Sequence, residues 1–183
     1  MRKIDDASFE EYVTWYLQRD FWKRGRADPP RTDDIDWCLR EMYMEHHERM
    51  PPFFAHAKWI RAVISTLEET FGWLAPDYRW LKEEGLMPAT GEGTIEVIAR
   101  QAIAVDFFRE ARTLAPRSKS MYAYYRMLQD GQLRFSGINR IVIWRDPDRQ
   151  AVILHDGIGR VLPMVVLALQ GGRMLPIEAY YGE

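Results

Sequence analysis

A short run of polar residues and glycines near the C-terminal end carries the strongest chemical signal in this sequence. It reads His-Asp-Gly-Ile-Gly-Arg and extends from His155 to Arg160. Glycines permit positive φ angles and let the backbone approach a ligand closely. The first amides of a following helix lack intrahelical acceptors and, with the helix dipole, favour an anion. Arg160 adds a planar set of donors that suits phosphate oxygens. We therefore predict that Gly157, Gly159 and Arg160 hold a phosphate group.

Two neighbouring side chains have the chemistry of catalytic groups. Asp156 could orient Arg160, position a metal ion or act as a base on a substrate hydroxyl. His155 could act as a general base, because histidine exchanges protons near neutral pH. The alternative is that the glycines only shape a turn, that Arg160 pairs with Asp156 or Glu178, and that His155 is structural.

The elements that must position this run are predicted from the surrounding pattern. Segments rich in β-branched and aromatic residues predict strands at Ile138–Trp144, Ala151–His155 and Leu175–Tyr180. Between the last two strands, an apolar helix is predicted over Val161–Gln170, and two glycines end it. Because this helix is apolar nearly all round, we expect it to be buried between layers. The glycine-rich run should therefore form the turn between a strand and a buried helix.

Helical spacing dominates the first half of the chain. Ser8 and Glu11 form a capping box, which predicts a helix from Phe9. Apolar stripes predict further helices after Thr32, over 54–71, 76–84 and from Thr94 to before Pro116, with a last one over Met121–Gln129. The predicted fold class is α+β, with a helical N-terminal part (residues 1–115) packed on a small α/β C-terminal part (residues 116–183). The two parts form either two domains or one continuous domain.

Composition narrows the class of protein. The chain has 183 residues, a formal net charge of −2 and one cysteine, Cys38. Without a basic surplus, nucleic acid is not a favoured partner. A single cysteine allows no intramolecular disulfide, which favours a reducing compartment. No signal peptide is recognisable, and the apolar stretch Val161–Leu169 is too short to span a bilayer. We therefore expect a soluble, cytoplasmic protein with no membrane partner.

Three other clusters contain residue types that are found in functional sites. Glu45-His46-His47-Glu48 has metal-ligand types, but consecutive helical positions point about 100° apart, so a solvated polar face is predicted. Ala89–Thr94 is similar to a phosphate loop but lacks the Gly-Lys-Ser/Thr ending, so a connection with Thr94 as helix cap is predicted. Four arginines near the last strands either add to a positive pocket or form a solvated edge: Arg134, Arg140, Arg145 and Arg149.

The order of elements from about residue 118 to 180 resembles the ParB/sulfiredoxin-like fold family. In that family a helix ending in glycine precedes two strands, the second ending in Gly-x-x-Arg, and a helix and a further strand follow. Here Met121–Gly131 matches the first helix, and Gly157-Ile158-Gly159-Arg160 matches the motif. The resemblance covers about a third of the chain. The motif cysteine of sulfiredoxins and the DNA-binding helix-turn-helix of partition proteins are missing, so neither of those activities is predicted.

The resemblance implies a nucleotide-phosphate site at Gly157–Arg160, with a nucleoside triphosphate and Mg²⁺ as the cofactor. Members of the family bind or hydrolyse nucleoside triphosphates, and some transfer a phosphoryl group. The predicted function is therefore nucleotide-phosphate binding, as a phosphotransferase or a nucleotide hydrolase, with Asp156 and His155 as catalytic residues. The predicted partner is a nucleotide or another phosphorylated small molecule. The alternative is a non-catalytic protein-interaction module, favoured by Ile158 and Gly159, where the family usually has polar residues.

Overall fold

Helices and strands are interspersed along the described chain. The computed structural model describes residues 1–24, 57–75, 78–88, 93–110 and 116–183. The strands are β1 (Arg2–Ala7), β2 (Trp59–Ile64), β3 (Leu74–Ala75), β4 (Gly93–Thr94), β5 (Ile141–Asp146), β6 (Ala151–Asp156) and β7 (Ile177–Gly182). The helices are α1 (Phe9–Arg24), α2 (Glu68–Phe71), α3 (Arg79–Glu83), α4 (Ile95–Ala104), α5 (Phe107–Glu110), α6 (Pro116–Gln129) and α7 (Ile158–Leu169), with a 3-10 turn at Gly137–Asn139.

The described strands form one mixed sheet in the order β1-β2-β7-β5-β6-β3-β4. β5 pairs with β6 antiparallel and with β7 parallel, and β3 pairs with β6 parallel. Strands from before and after residue 115 lie side by side, since β2 pairs with β7 in an antiparallel register. This confirms the predicted α+β class and shows that both predicted parts contribute to one sheet.

The sheet separates two apolar cores. Along β5, Ile141 and Ile143 belong to the larger core, whereas Val142 and Trp144 belong to the smaller one, as expected from the alternation of side chains along a strand. Helices α4, α6 and α7 pack on the larger core, and α1 brings its aromatic residues to the smaller one. Helix α7 is buried through most of its length, as predicted. None of the helices in the described ranges has the length and apolar character needed to cross a membrane.

The helix predicted over 54–71 is wrong for residues 59–64, which form β2. The run Trp-Ile-Arg-Ala-Val-Ile is rich in β-branched and aromatic residues, which suit strands. Ile60, Ala62 and Ile64 point into the larger core at a spacing of two, although Ile60, Val63 and Ile64 also fit a helical stripe. Pairing with β1 and β7 on both sides decides between the two patterns. Within the described residues 57–71, only the four residues of α2 are helical.

The predicted helix starts after Ser8 and Thr94 are confirmed, whereas α6 begins at Pro116, five residues before the predicted Met121. Helix α1 begins at Phe9, and Ser8 Oγ accepts from the Glu11 amide at 3.0 Å. The predicted helix after Thr32, which carries Cys38 and the cluster 45–48, lies outside the described residues. So does most of the loop 89–94.

Thr94 caps α4, as predicted, because its Oγ1 accepts from the Val97 amide at 3.3 Å. Thr94→Ala is expected to lower the free energy of unfolding by about 1 kcal/mol, because the replacement leaves a first-turn amide without its acceptor. Urea denaturation measures the change. Thr94→Ser keeps the acceptor and should stay near the parent, and equal losses in the two variants would contradict a capping role.

Candidate functional site

Strand β6 leads into α7 through Gly157, which has a φ of +107°. Its carbonyl oxygen accepts from the amides of Arg160 at 2.8 Å and Val161 at 2.9 Å. Helix α7 therefore begins at Ile158, three residues before the predicted start. Gly159 and Arg160 lie in the first helical turn and not in a preceding loop, which corrects that part of the prediction. No side chain of the described residues caps the helix, so the amides of Ile158 and Gly159, which precede the two bonded amides, are the ones a ligand could reach.

The fold requires glycine at position 157, whereas the packing around Gly159 leaves room for a Cβ. A Cβ at Gly157 would lie 2.6 Å from Ile141 Cγ2, and side chains rarely adopt this positive φ. A Cβ at Gly159 would lie 3.4 Å from Met121 Cγ on α6, at the limit of ordinary contact. The glycines alone therefore do not indicate a ligand, and the argument for a site depends on the side chains around them.

Arg160 is buried, with 3% of its side chain exposed, and pairs with Asp156. Its Nη2 donates to Asp156 Oδ2 at 2.8 Å. Arg19 of α1, which is 2% exposed, donates to the same Oδ2 through Nη1. Helices α1 and α7 pack on opposite faces of the sheet, so Asp156 at the end of β6 links the two layers. The pairing with Asp156, one of the alternatives for Arg160, is thus confirmed.

Two aromatic rings also lie against the Arg19 guanidinium, which donates to Asp156. Its guanidinium carbon lies 4.9 Å from the ring centroid of Trp15 and 4.6 Å from that of Tyr16. Stacking of this kind stabilises a buried guanidinium. Burial opposes the charge of Arg19, but the Asp156 carboxylate outweighs it, and the pKa of Arg19 is raised. Arg19 therefore remains a fixed positive charge.

The charge of Arg160 is less well balanced. Burial lowers the pKa of its guanidinium; Asp156 offsets part of this, and Arg19 adds to the lowering. Within the described part of the chain, Arg160 Nη1 and Arg19 Nε are buried and have no hydrogen-bond partner. Among these three described side chains, two guanidinium groups share one carboxylate, so the three together carry a net positive charge.

A cavity of about 220 Å³ opens at the start of α7. Its lining combines residues 156–160 with residues from α6 and from the start of α3: Tyr78, Trp80, Ser120, Met121 and Tyr124. The rings of Tyr78 and Trp80 lie with centroids 6.1 Å apart at an angle of 40°. The aromatic walls were not predicted as site residues, because no spacing in the sequence brings residues 78–80 next to residues 120–124.

Four of the five predicted site residues line this cavity: Asp156, Gly157, Gly159 and Arg160. His155 is not among the lining residues of the described chain. Its side chain is half-buried, and its carbonyl oxygen accepts from the Tyr78 hydroxyl at 3.2 Å. Asp156 uses Oδ2 for both arginines. The structure thus brings the phosphate-binding candidates together and places His155 beside them.

The other arginines that the sequence singled out lie elsewhere. Arg140 donates to Glu178 at 2.9 Å, so Glu178 is occupied by this pair. Arg149 pairs with Asp146 at 3.5 Å, and Arg145 bonds Gln150 at 3.5 Å. In the described chain none of them contributes to the cavity.

The cavity does not fit a Mg²⁺ ion held by the protein. Asp156 is the sole carboxylate in the described lining, and Mg²⁺ requires several oxygen ligands in octahedral geometry. Across the described ranges, no three His, Cys, Asp or Glu side chains are grouped as metal ligands.

Comparison of the chain with protein-family models, curated proteins and solved structures gives no match, so the ParB/sulfiredoxin-like resemblance stays a prediction.

Proposed function

We propose that this protein binds the phosphate group of a nucleotide in the cavity at the start of α7. One observation carries the proposal. The buried Arg160 lines the cavity while its Nη1 has no partner in the described chain. A buried donor without an acceptor, and a buried charge without a full counter-charge, are both costly. An anion bound in the cavity would supply the missing counter-charge beside Arg160.

The main chain around Arg160 supports the same ligand. Helix α7 has twelve residues and begins with glycines at its N-cap and in its first turn, and no side chain of the described residues caps it. Uncapped amides and the positive end of the helix dipole attract phosphate oxygens. Arg160 lies in the same turn as these amides, so a phosphate reaching them would meet its guanidinium as well. A neutral oxygen acceptor could take the same hydrogen bonds, but it would not balance the charge of Arg160.

The shape of the cavity supports a nucleotide over free phosphate. Tyr78, Trp80 and Tyr124 contribute aromatic rings to the walls, and such rings stack on a flat base. The volume of about 220 Å³ lies below the roughly 300–1,000 Å³ of most small-molecule pockets. We therefore propose that one phosphate is enclosed and that the remainder of the nucleotide lies against the rings.

Binding, and not catalysis by Asp156, is the role that the contacts support. A carboxylate that accepts from two guanidinium groups is stabilised in its charged form and is a weak base. Its contacts make Asp156 a positioning residue for Arg160. Mg²⁺ would bind only together with the phosphate groups of the nucleotide. Phosphoryl transfer and hydrolysis remain predictions of the family resemblance.

Titration calorimetry with AMP, ADP and ATP, each with and without Mg²⁺, tests the proposal. Ser120→Glu places a negative charge at the cavity without touching the buried cluster, since Ser120 is exposed. We expect this variant to bind the preferred nucleotide at least tenfold more weakly, because like charges at close range repel. Lys119→Glu is the matched control. It changes the local charge by two units, against one unit in Ser120→Glu, and Lys119 lies outside the cavity lining.

The outcomes distinguish binding in this cavity from a general effect of charge on nucleotide affinity. A tenfold loss in Ser120→Glu with a smaller one in Lys119→Glu supports the cavity. No binding by the parent, or an equal or larger loss in Lys119→Glu, contradicts it. Arg160→Lys gives a second test that keeps the charge and removes the planar fork. It should weaken binding as well, and thermal unfolding without nucleotide shows whether the variant is folded.

A further inference from the structure

We propose a second ligand site, at the ends of α6 and α7, for a small amphiphile with an apolar chain and a carboxylate head. A cavity of about 600 Å³ lies there, within the range of small-molecule pockets. Its lining is mostly apolar and includes Val63, Leu128, Leu133, Phe135, Met164 and Leu167. The ligand class that fits is a medium-chain fatty acid.

This cavity is separate from the candidate phosphate site. The phosphate cavity is lined by Ser120 in the first half of α6, by Tyr124 near its middle and by the first turn of α7. The larger cavity is lined by Leu128 at the end of α6 and by Leu167 near the end of α7. The two linings share no residue, so the two proposals depend on different side chains.

The interior of the larger cavity suits a hydrocarbon chain. Leu133, Phe135 and Met164 are each no more than 2% exposed and belong to the main core, so they form a fixed apolar base. Val63, Leu167 and Leu175 are only half-buried at the same cavity. A chain laid over them would remove apolar surface from water, which is the main source of affinity for such ligands.

The charges at the cavity select an anionic head. Arg134 and Arg173 contribute to the lining and are exposed, and neither makes an ion pair within the described ranges. Glu178, the one acidic residue of the described lining, is already held by Arg140. A carboxylate head is therefore the complement of the two free arginines.

The helix ends at this cavity do not reverse that preference. Helix C-termini favour cations when their last carbonyls are free. Here Leu128 O accepts from the Gly131 amide at 3.1 Å, and Leu167 O accepts from the Gly172 amide at 2.9 Å. Because these carbonyls are already bonded within the chain, the arginine side chains dominate the charge.

Titration calorimetry with decanoate, at concentrations below micelle formation, tests this site. We expect saturable binding of one decanoate per chain and at least tenfold weaker binding of decanol, which has no charge. The double variant Arg134→Gln/Arg173→Gln should bind decanoate about as weakly as the parent binds decanol, since charge-assisted hydrogen bonds are lost. Leu167→Glu should also abolish binding, whereas Val97→Glu, an exposed change on α4 outside the lining, should leave it unchanged.

Each of the remaining outcomes overturns the proposal. No saturable binding, equal binding of decanol and decanoate, or full decanoate affinity in the double arginine variant rules out a fatty-acid site. Sedimentation velocity on the same proteins identifies a competing occupant. A parent that self-associates, with a monomeric double arginine variant, would make this cavity an interface between copies of the chain.

Discussion

Asp156→Ala is expected to lower the free energy of unfolding by about 3–5 kcal/mol, the range for breaking a buried ion pair from one side. Arg19 and Arg160 are 2% and 3% exposed, and both donate to Asp156. Removal of the carboxylate leaves two buried positive charges close together with no counter-charge among the described residues. Asp156→Asn should lose nearly as much, because an amide keeps the shape but not the charge. Urea unfolding at neutral pH, followed by tryptophan fluorescence, measures the loss.

The control for this prediction is Asp148→Ala, which removes an exposed carboxylate from the turn between β5 and β6. Exposed substitutions of this kind usually change stability by less than about 0.5 kcal/mol. A similar small loss in Asp156→Ala would contradict the structural role of the cluster. The same variant also bears on the proposed function. Phosphate should restore part of its lost stability if Arg160 binds anions, because the anion replaces the missing negative charge.

Local signals account for the parts of the fold that the sequence predicted. β-branched runs followed by glycines predicted the order of β6, α7 and β7, and these elements are present. Thr94 and Ser8 were recognised as helix caps because capping needs only residues within one turn. Such features depend only on residues that are close in the sequence, so a short segment is enough to predict them.

Long-range pairing explains what the sequence did not predict. β1 reads Arg-Lys-Ile-Asp-Asp-Ala, which has no strand pattern, and it is extended because it pairs with β2. β2 itself satisfied a helical stripe and became a strand between β1 and β7. In both cases the hydrogen-bond partner comes from a distant part of the chain, and it overrides the local preference.

The same reasoning applies to the candidate site. The glycine-rich run could be located in the sequence because its residues are contiguous. The contact between Arg19 and Asp156 spans 137 residues, and no spacing predicts it. For that reason the sequence left the role of Asp156 open among orienting Arg160, holding a metal and acting as a base. The tertiary contact with Arg19 favours the first of these.

Gly157→Ala is expected to destabilise the fold by about 3 kcal/mol or more, through two effects that add. A side chain at a φ of +107° is strained, and the new Cβ would overlap Ile141 Cγ2 at 2.6 Å. Gly171→Ala is the matched control, because its φ is +90° and a Cβ there would meet nothing within 4 Å. Equilibrium unfolding of both variants separates backbone strain from the clash.

The identity of the clashing residue can be checked with a double-mutant cycle. Ile141→Ala removes Cγ2, so Gly157→Ala should cost less in that background than in the parent. The Cβ would also lie 3.3 Å from Arg160 Nη2, so Gly157→Ala should weaken nucleotide binding in molecules that remain folded. Equal losses of stability in Gly157→Ala and Gly171→Ala would mean that β5 moves away from the new Cβ with no loss of free energy of unfolding. In that case the entry into α7 would not be held in place by its packing on β5, and Arg160 would lose the fixed position on which an anion site depends.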